Sequence, residues 1–285
     1  MEIEIKLLPP VGQALPSLDA LAQWLPIGSG QRMTLGNCYF DTPELALRHL
    51  DMGLRVRRQG EAREQTIKTA SKGVGGLHAR GEYNVAITQD WPDLALFPPE
   101  LWSKATRQAL QAALVAQFDT DFERQAVTLE WQGSRVELVR DSGWIRAGDR
   151  REAIAELELE LVEGEAEVLL ALTERLMSAL PLRLGLDSKA ARGYRLAGLQ
   201  PQAAPMTQWA TPGQQLVAWQ RNEACLLAGI EEALAPLRQL WQELGEQAEL
   251  AWLAQVELTD AAALASLQQH NDYGLCQLRL LRQAL

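Results

Sequence analysis

The chain is short of the side chains on which most nucleophilic and soft-metal sites depend: it has three cysteines and three histidines in 285 residues. Cys38, Cys225 and Cys276 are odd in number and widely separated. They read as the reduced thiols of a cytoplasmic protein, not as a disulfide framework. No Ser-His-Asp or Cys-His set can be assembled. No run of about 18 apolar residues occurs, so no membrane span is expected. The acidic start lacks the basic-then-apolar order of a signal peptide. The run Lys72-Gly-Val-Gly-Gly76 lacks the GxxxxGK[ST] spacing of a phosphate-binding loop and reads as a hairpin tip. No repeat recurs at a fixed period. Positive charge is also in deficit, with 27 Lys and Arg against 37 Asp and Glu. The net charge of −10 argues against attraction to nucleic acid in bulk.

What is present is ample apolar material, 47% of residues, enough for a sizeable core. Residues 1–198 read as mixed strand and helix. Strands are expected at Glu2–Leu8, Met33–Phe40, Gly53–Arg58, Glu64–Ala70, His78–Ile87, Phe118–Trp131, Ser134–Asp141, Trp144–Ala147 and Ile154–Leu161. Helices are expected at Leu18–Leu25, Pro43–Leu50, Ser103–Ala116, Glu165–Leu180 and Lys189–Leu196, the last behind Ser188 as N-cap. Residues 199–213 are rich in Pro, Gln and Thr and read as a linker. Residues 214–285 read as a separate, acidic, all-helical module; from residue 199 onward there is no lysine.

Strand side chains alternate faces. Glu2, Glu4 and Lys6 therefore share a face, as do Arg55 and Arg57, Arg80 and Glu82, and Glu156, Glu158 and Glu160. One such strand would be a solvated face. Several together point inward, into a barrel with a charged lumen and an apolar outer wall covered by helices. Lining a lumen with both signs of charge costs desolvation unless the groups are paired or ligated. A polyanion carrying divalent metal satisfies both sets: carboxylates take Mg²⁺ or Mn²⁺, and Arg and Lys take phosphate oxygens. Phosphoryl transfer is the chemistry such an arrangement suits.

Glu2-Ile-Glu-Ile-Lys6 resembles the ExExK signature of the CYTH superfamily, the triphosphate tunnel metalloenzymes. Further matching pieces follow in family order: Asn37–Pro43, Gly53–Arg57, Thr66–Thr69, Gly76–Asn84, Thr120–Arg124, Glu156–Glu160 and Ser188–Tyr194. The likeness is greatest to the bacterial inorganic triphosphatases that join a CYTH to a CHAD domain. It implies an α+β fold: an eight-stranded antiparallel tunnel with flanking helices, then a small helical module, a partial or degenerate CHAD-like unit with His270 as its one histidine. It implies metal-dependent hydrolysis of tripolyphosphate to pyrophosphate and phosphate. Glu2, Glu4, Glu156, Glu158 and Glu160 would face Mg²⁺ or Mn²⁺. Lys6, Arg55, Arg57, Lys68, Arg80, Arg124, Lys189 and Arg192 would hold phosphate, and Glu2, Glu4, Lys6 and Lys68 would carry catalysis. Adenylate cyclase, thiamine or nucleoside triphosphatase, and a non-catalytic polyphosphate-binding module are the alternatives.

Four other residues were weighed. His78 reads as a loop or surface histidine. Asp141-Ser-Gly143 reads as a turn, with Asp141 a lesser candidate for metal. Glu82 reads as the partner of Arg80. Asp41 reads as support for the helix start that follows it.

Overall fold

In a computed structural model of the chain, the described residues are 2–28, 30–70 and 72–285. Met1, Ser29 and Ser71 lie outside them, as does the side chain of Lys72. The strands are β1 (Glu2–Leu8), β2 (Gln31–Asp41), β3 (Gly53–Gln59), β4 (Ala62–Lys68), β5 (Lys72–Val74), β6 (Leu77–Arg80), β7 (Glu82–Ile87), β8 (Val115–Trp131), β9 (Ser134–Ala147), β10 (Arg150–Glu163) and the two-residue β11 (Arg183–Leu184). The helices are α1 (Leu18–Leu21), α2 (Ala46–His49), α3 (Lys104–Ala113), α4 (Glu167–Ala179), α5 (Lys189–Leu196), α6 (Pro212–Leu227), α7 (Leu234–Gly245), α8 (Ala261–Leu267) and α9 (Asn271–Ala284).

All strands pair antiparallel in the order β5-β6-β1-β10-β9-β8-β2-β3-β4-β7, with β11 on β1. β6 and β7 are two halves of one bent segment, separated only by Gly81. β6 pairs with β1 and β7 with β4, so the bend joins the two ends of the path. The Gly81 carbonyl accepts the Thr69 N–H at 2.9 Å, which carries the β4 ladder up to the corner. A Cβ at Gly81 would lie 2.8 Å from the Thr69 hydroxyl, so a side chain at the corner would have to displace Thr69. Counting β6 and β7 as one wall and leaving their flanking hairpin strand β5 aside, eight walls enclose a tunnel, as expected.

The outward faces are apolar. Leu157 and Leu159 of β10 and Val136 and Leu138 of β9 are buried in one cluster with Leu169, Leu172 and Leu176 of α4. Burying each such side chain contributes roughly 1.5–3 kcal/mol. Trp219, Leu240, Tyr273 and Leu280 of the C-terminal helices belong to the same cluster, so the helical region shares the tunnel's outer core.

Two sequence expectations change. The residues around Asp141-Ser-Gly143 form no turn: β9 runs unbroken through them. Gly143 faces Phe122 of β8, where a Cβ would lie 2.5 Å from the Phe122 side chain. That glycine serves close strand approach. The early helices are also shorter than expected, and α3 stops at Ala113 because β8 claims Val115 and Ala116.

Candidate active site: a charged tunnel

A cavity of about 540 Å³ occupies the tunnel. Strand parity puts Glu2, Glu4 and Lys6, Arg55 and Arg57, Lys68, His78 and Arg80, Glu82, Arg124, Glu137, and Glu158 and Glu160 on its wall. The mouth is closed on one side by Asp187, Ser188 and Lys189 at the start of α5. Ser188 caps that helix, its hydroxyl accepting the Ala191 N–H at 3.1 Å, a bond worth about 1 kcal/mol. Of the residues expected to act, Glu156 and Arg192 are not on the cavity wall. Glu156 is fully buried behind Lys6 and Lys189, and Arg192 reaches it at 3.3 Å from the α5 side.

At this inner end every carboxylate has cations. Lys6 Nζ lies 3.1 Å from both Glu156 and Glu158. Lys189 Nζ contacts Glu156, lies 2.6 Å from Asp141 and 3.3 Å from Glu158. Arg124 makes a two-pronged pair with Asp141 at 2.7 and 2.6 Å and reaches Glu158 at 3.0 Å. Burial alone would raise the Glu158 carboxyl, but Lys189, Lys6 and Arg124 outweigh it and hold the group well below its ordinary value. Asp141 is lowered in the same way, against burial, by Lys189 and Arg124.

Toward the first strand the balance reverses. Register places Glu4 opposite Glu160 and Glu160 opposite Glu137. Arg80 serves both Glu2 (3.0 Å) and Glu4 (2.8 Å). Lys68 serves Glu2 (2.7 Å) and Glu82 (3.0 Å). Among the described residues Glu137 and Glu160 have no ion pair. Lys68 and Arg80 overcome burial at Glu2 and hold it at about 2. Glu4, buried and facing Glu158, is raised despite Arg80. Glu160 is pushed up to about 7 by burial and by Glu2.

Opposite these acids stands a cation with no acid. Arg57 donates from Nε to the Asn37 side chain at 2.9 Å. Among the described residues it has no carboxylate partner. Burial, with Arg55 and Arg124 close by, pulls its guanidinium down to about 9. A half-buried arginine left so is matched to an anion supplied from outside the chain.

Three residues fall elsewhere than the sequence suggests. His78 sits on the tunnel wall opposite Glu4, not on the surface. Burial, Lys6 and Arg80 lower it to about 4, so it is neutral at pH 7. Glu82 pairs with Lys68 and, at 3.7 Å, with Arg55, not with Arg80, because the Gly81 corner turns the two apart. Asp141 is a fully buried member of the inner ion cluster. Asp41 does support a helix start, accepting the Leu47 and Arg48 N–H groups at 2.8 and 3.0 Å. Glu137, not among the residues expected from the sequence, shares the parity of Asp141 on β9 and joins the wall.

The CYTH domain model matches residues 1–194. The chain belongs to the CYTH family. It is 34% identical over 232 residues to an inorganic triphosphatase of Haemophilus influenzae, covering 79% of this chain and 62% of that protein. The chain thus spans less than two thirds of that relative's length. Among solved structures, a Hippeastrum protein, described as an adenylyl cyclase candidate with a dominant triphosphatase activity, is 22% identical with a TM-score of 0.46. It matches 68% of this chain and 96% of its own. A protein of Bacillus halodurans, described as an adenylate cyclase candidate, is 19% identical with a TM-score of 0.40, over 63% of this chain and 89% of its own.

The tunnel of this CYTH chain fits a divalent cation on two counts. Its wall donors are carboxylate oxygens converging from β1 and β10; those of Asp141, Glu156 and Glu158 lie within 4.8 Å of one another but are already held by Lys6, Lys189 and Arg124. Such a set suits hard ions. The second count is that burial, together with neighbouring acids, raises the Glu4 and Glu160 carboxyls, which a bound cation would relieve. Among the described residues no helix is long and apolar enough to cross a membrane.

Proposed function

We propose that the chain hydrolyses inorganic tripolyphosphate to pyrophosphate and phosphate inside this tunnel, with Mg²⁺ or Mn²⁺. The observation that carries the reading is Arg57, a half-buried guanidinium on the tunnel wall with no acid of its own among the described residues. Its natural complement is a phosphate oxygen. Glu2, Glu4, Glu158 and Glu160 would hold the metal from the wall, with Glu156 behind them. When bound, the ion would neutralise charge on the phosphate oxygens and acidify the attacking water.

The residues of the chain divide the remaining work. Arg55, Arg57, Arg124 and Lys189 fix the phosphate chain, and Lys6, Lys68 and Arg80 hold the carboxylates in place while offering donors to the same oxygens. A glutamate of the first or last tunnel strand, β1 or β10, would take the proton of the attacking water. Water oxygen bonds to the terminal phosphorus, the bond from that phosphorus to the bridging oxygen breaks, and pyrophosphate leaves with its charge held by the basic wall.

Three free cysteines support a cytoplasmic setting. The region from α6 to α9 is read as a partial CHAD-like module, to which polyphosphate binding is not assigned. The test is phosphate release from tripolyphosphate, ATP and thiamine triphosphate with and without Mg²⁺ or Mn²⁺. Metal-dependent release from tripolyphosphate above the other two is expected, and Glu4→Ala should lower it about a thousandfold with the fold intact. Parent-level turnover by Glu4→Ala, or equal rates without metal, would end this reading.

A further inference from the structure

Lys6 is gripped from both sides through its backbone. Its N–H donates to the Gly76 carbonyl at 3.1 Å, and its carbonyl accepts the Gly185 N–H at 2.9 Å. The contact with Gly185 is close: a Cβ there would lie 2.8 Å from Lys6 Cγ. One flank is therefore the β5–β6 hairpin, which leads to His78 and Arg80. The other follows β11 and leads to Lys189.

Both flanks are held by the helical region. Gln220 of α6 donates its two amide hydrogens to the Gly75 carbonyl (3.0 Å) and the Leu184 carbonyl (3.2 Å). Gln277 of α9 accepts the Leu184 N–H at 2.9 Å. The backbone of Leu184, at the sheet edge, is thus satisfied by two glutamine side chains where a further strand would otherwise pair. Next to it, Arg183 pairs with Glu223 of α6 at 2.6 Å, and Glu223 also accepts from the Tyr273 hydroxyl. Glu223 is 2% exposed. α9 comes so near that a Cβ at Gly274 would collide with the Leu182 carbonyl at 1.8 Å.

We propose that Gln220 is a positioning residue of the tunnel: from the helical region it stitches together the two segments that flank Lys6 and so sets the placement of Lys6 and Lys189. Nothing in the tunnel touches Gln220, and its own carbonyl oxygen is buried without a partner. Its orientation is therefore fixed by the two carbonyls it serves. Misplacing a phosphate-holding lysine by a fraction of an ångström is enough to slow the reaction severalfold or more.

The kinetic part of this inference rests on the proposed triphosphatase activity, so its test has a readout that does not. Amide hydrogen exchange and kcat/KM for tripolyphosphate are measured on the full chain, on Gln220→Leu and on Leu264→Ala. The Leu264 variant opens a cavity in α8 but leaves the Gln220 donors in place. In Gln220→Leu, exchange at residues 5–7 and 184–189 should quicken about tenfold, with kcat/KM down about tenfold. In Leu264→Ala, exchange should quicken in the helices while residues 184–189 and kcat/KM stay near the parent's.

Unchanged exchange at 184–189 in Gln220→Leu overturns the proposal. So does faster exchange with unchanged kcat/KM, or the same behaviour in Leu264→Ala. A parent inactive on tripolyphosphate sinks the proposed function, while the exchange comparison still decides the stitching. Should Gln220→Leu fail to fold, Gln277→Met, which releases the Leu184 N–H and the 3.4 Å bond from Gln277 to Glu223 but leaves the Gln220 donors in place, is read by the same criteria.

Discussion

One tunnel holds two acid clusters in opposite electrostatic states. At the inner end Asp141, Glu156 and Glu158 are surrounded by Lys6, Lys189, Arg124 and Arg192. At the first-strand end Glu4 shares Arg80 with Glu2, and Glu160, with no ion pair among the described residues, stands among Glu2, Glu4 and Glu137 with Lys68 acting against them. Asp141 and Glu158 are lowered while Glu4 and Glu160 are raised, although burial acts to raise all four. Burial therefore does not decide the ionisation of a tunnel acid; the local count of cations does. The inner cluster behaves as a permanent scaffold that aims its lysines. The outer cluster carries an unmet charge, which is where a metal ion has most to gain.

The comparison breaks most visibly at the scaffold. Lys189→Met would leave three buried carboxylates short of their shared ammonium. Removing one partner of a buried ionic group typically costs 3–5 kcal/mol, and about 3 kcal/mol is expected here at pH 8 by urea unfolding. The sign with pH follows from the carboxyls. Asp141 and Glu158 are lowered in the folded state, so the stability they contribute is present above their unfolded values and disappears as pH falls through the folded ones. The gap between parent and variant should thus close in acid. A variant as stable as the parent at pH 8 would show that the inner cluster is no scaffold.

Arg57 is the counter-case on the cationic side. It has no acid to abandon, so Arg57→Met should cost only about 1 kcal/mol, the loss of its bond to the buried Asn37 side chain, because no buried charge is left unpaired. Binding should suffer instead: loss of a charge-assisted bond to phosphate, worth about 1.5–3 kcal/mol, predicts a ten- to hundredfold rise in KM for tripolyphosphate. Large destabilisation with unchanged KM would place Arg57 among the structural cations and remove the main support for a phosphate ligand.

Much of this was legible in the alternation of charged and apolar residues. Glu2, Glu4 and Lys6 fall on the tunnel wall because Ile3 and Ile5 had to face a core, and Glu158 and Glu160 follow from Leu157 and Leu159 in the same way. What parity cannot supply is position along the tunnel. Glu156 and Arg192 carry the right charge on the right face, yet register and the packing of α5 set them behind the wall. Asp141 was obscured by Gly143, whose turn signal has a different cause, the close passage of Phe122. His78 and Glu82 were misread because the corner at Gly81 divides one apparent strand between two partners. The role of Gln220 and Gln277 had no local signal, since it rests on contacts 36 to 145 residues apart in sequence.

The smallest expected effect is also the one with the least ordinary sign. Glu160 is raised from 4.5 to about 7, so the folded chain holds that proton more tightly than the unfolded chain. Between those values the metal-free protein must lose stability as pH rises, the reverse of what Glu2, held at about 2, contributes. Glu160→Gln removes the effect. The shift taken whole would amount to about 3 kcal/mol, but the group is only half-buried, and screening brings the expectation to about 1 kcal/mol. At pH 8 and without divalent metal, the glutamine variant should therefore be more stable than the parent, and at pH 4.5 equal to it. Saturating Mn²⁺ should reverse the order at pH 8, because only the parent offers the extra carboxylate. A variant less stable than the parent in metal-free buffer at pH 8 would mean that Glu160 already has its counter-charge, and the contrast between the two acid clusters would fail there.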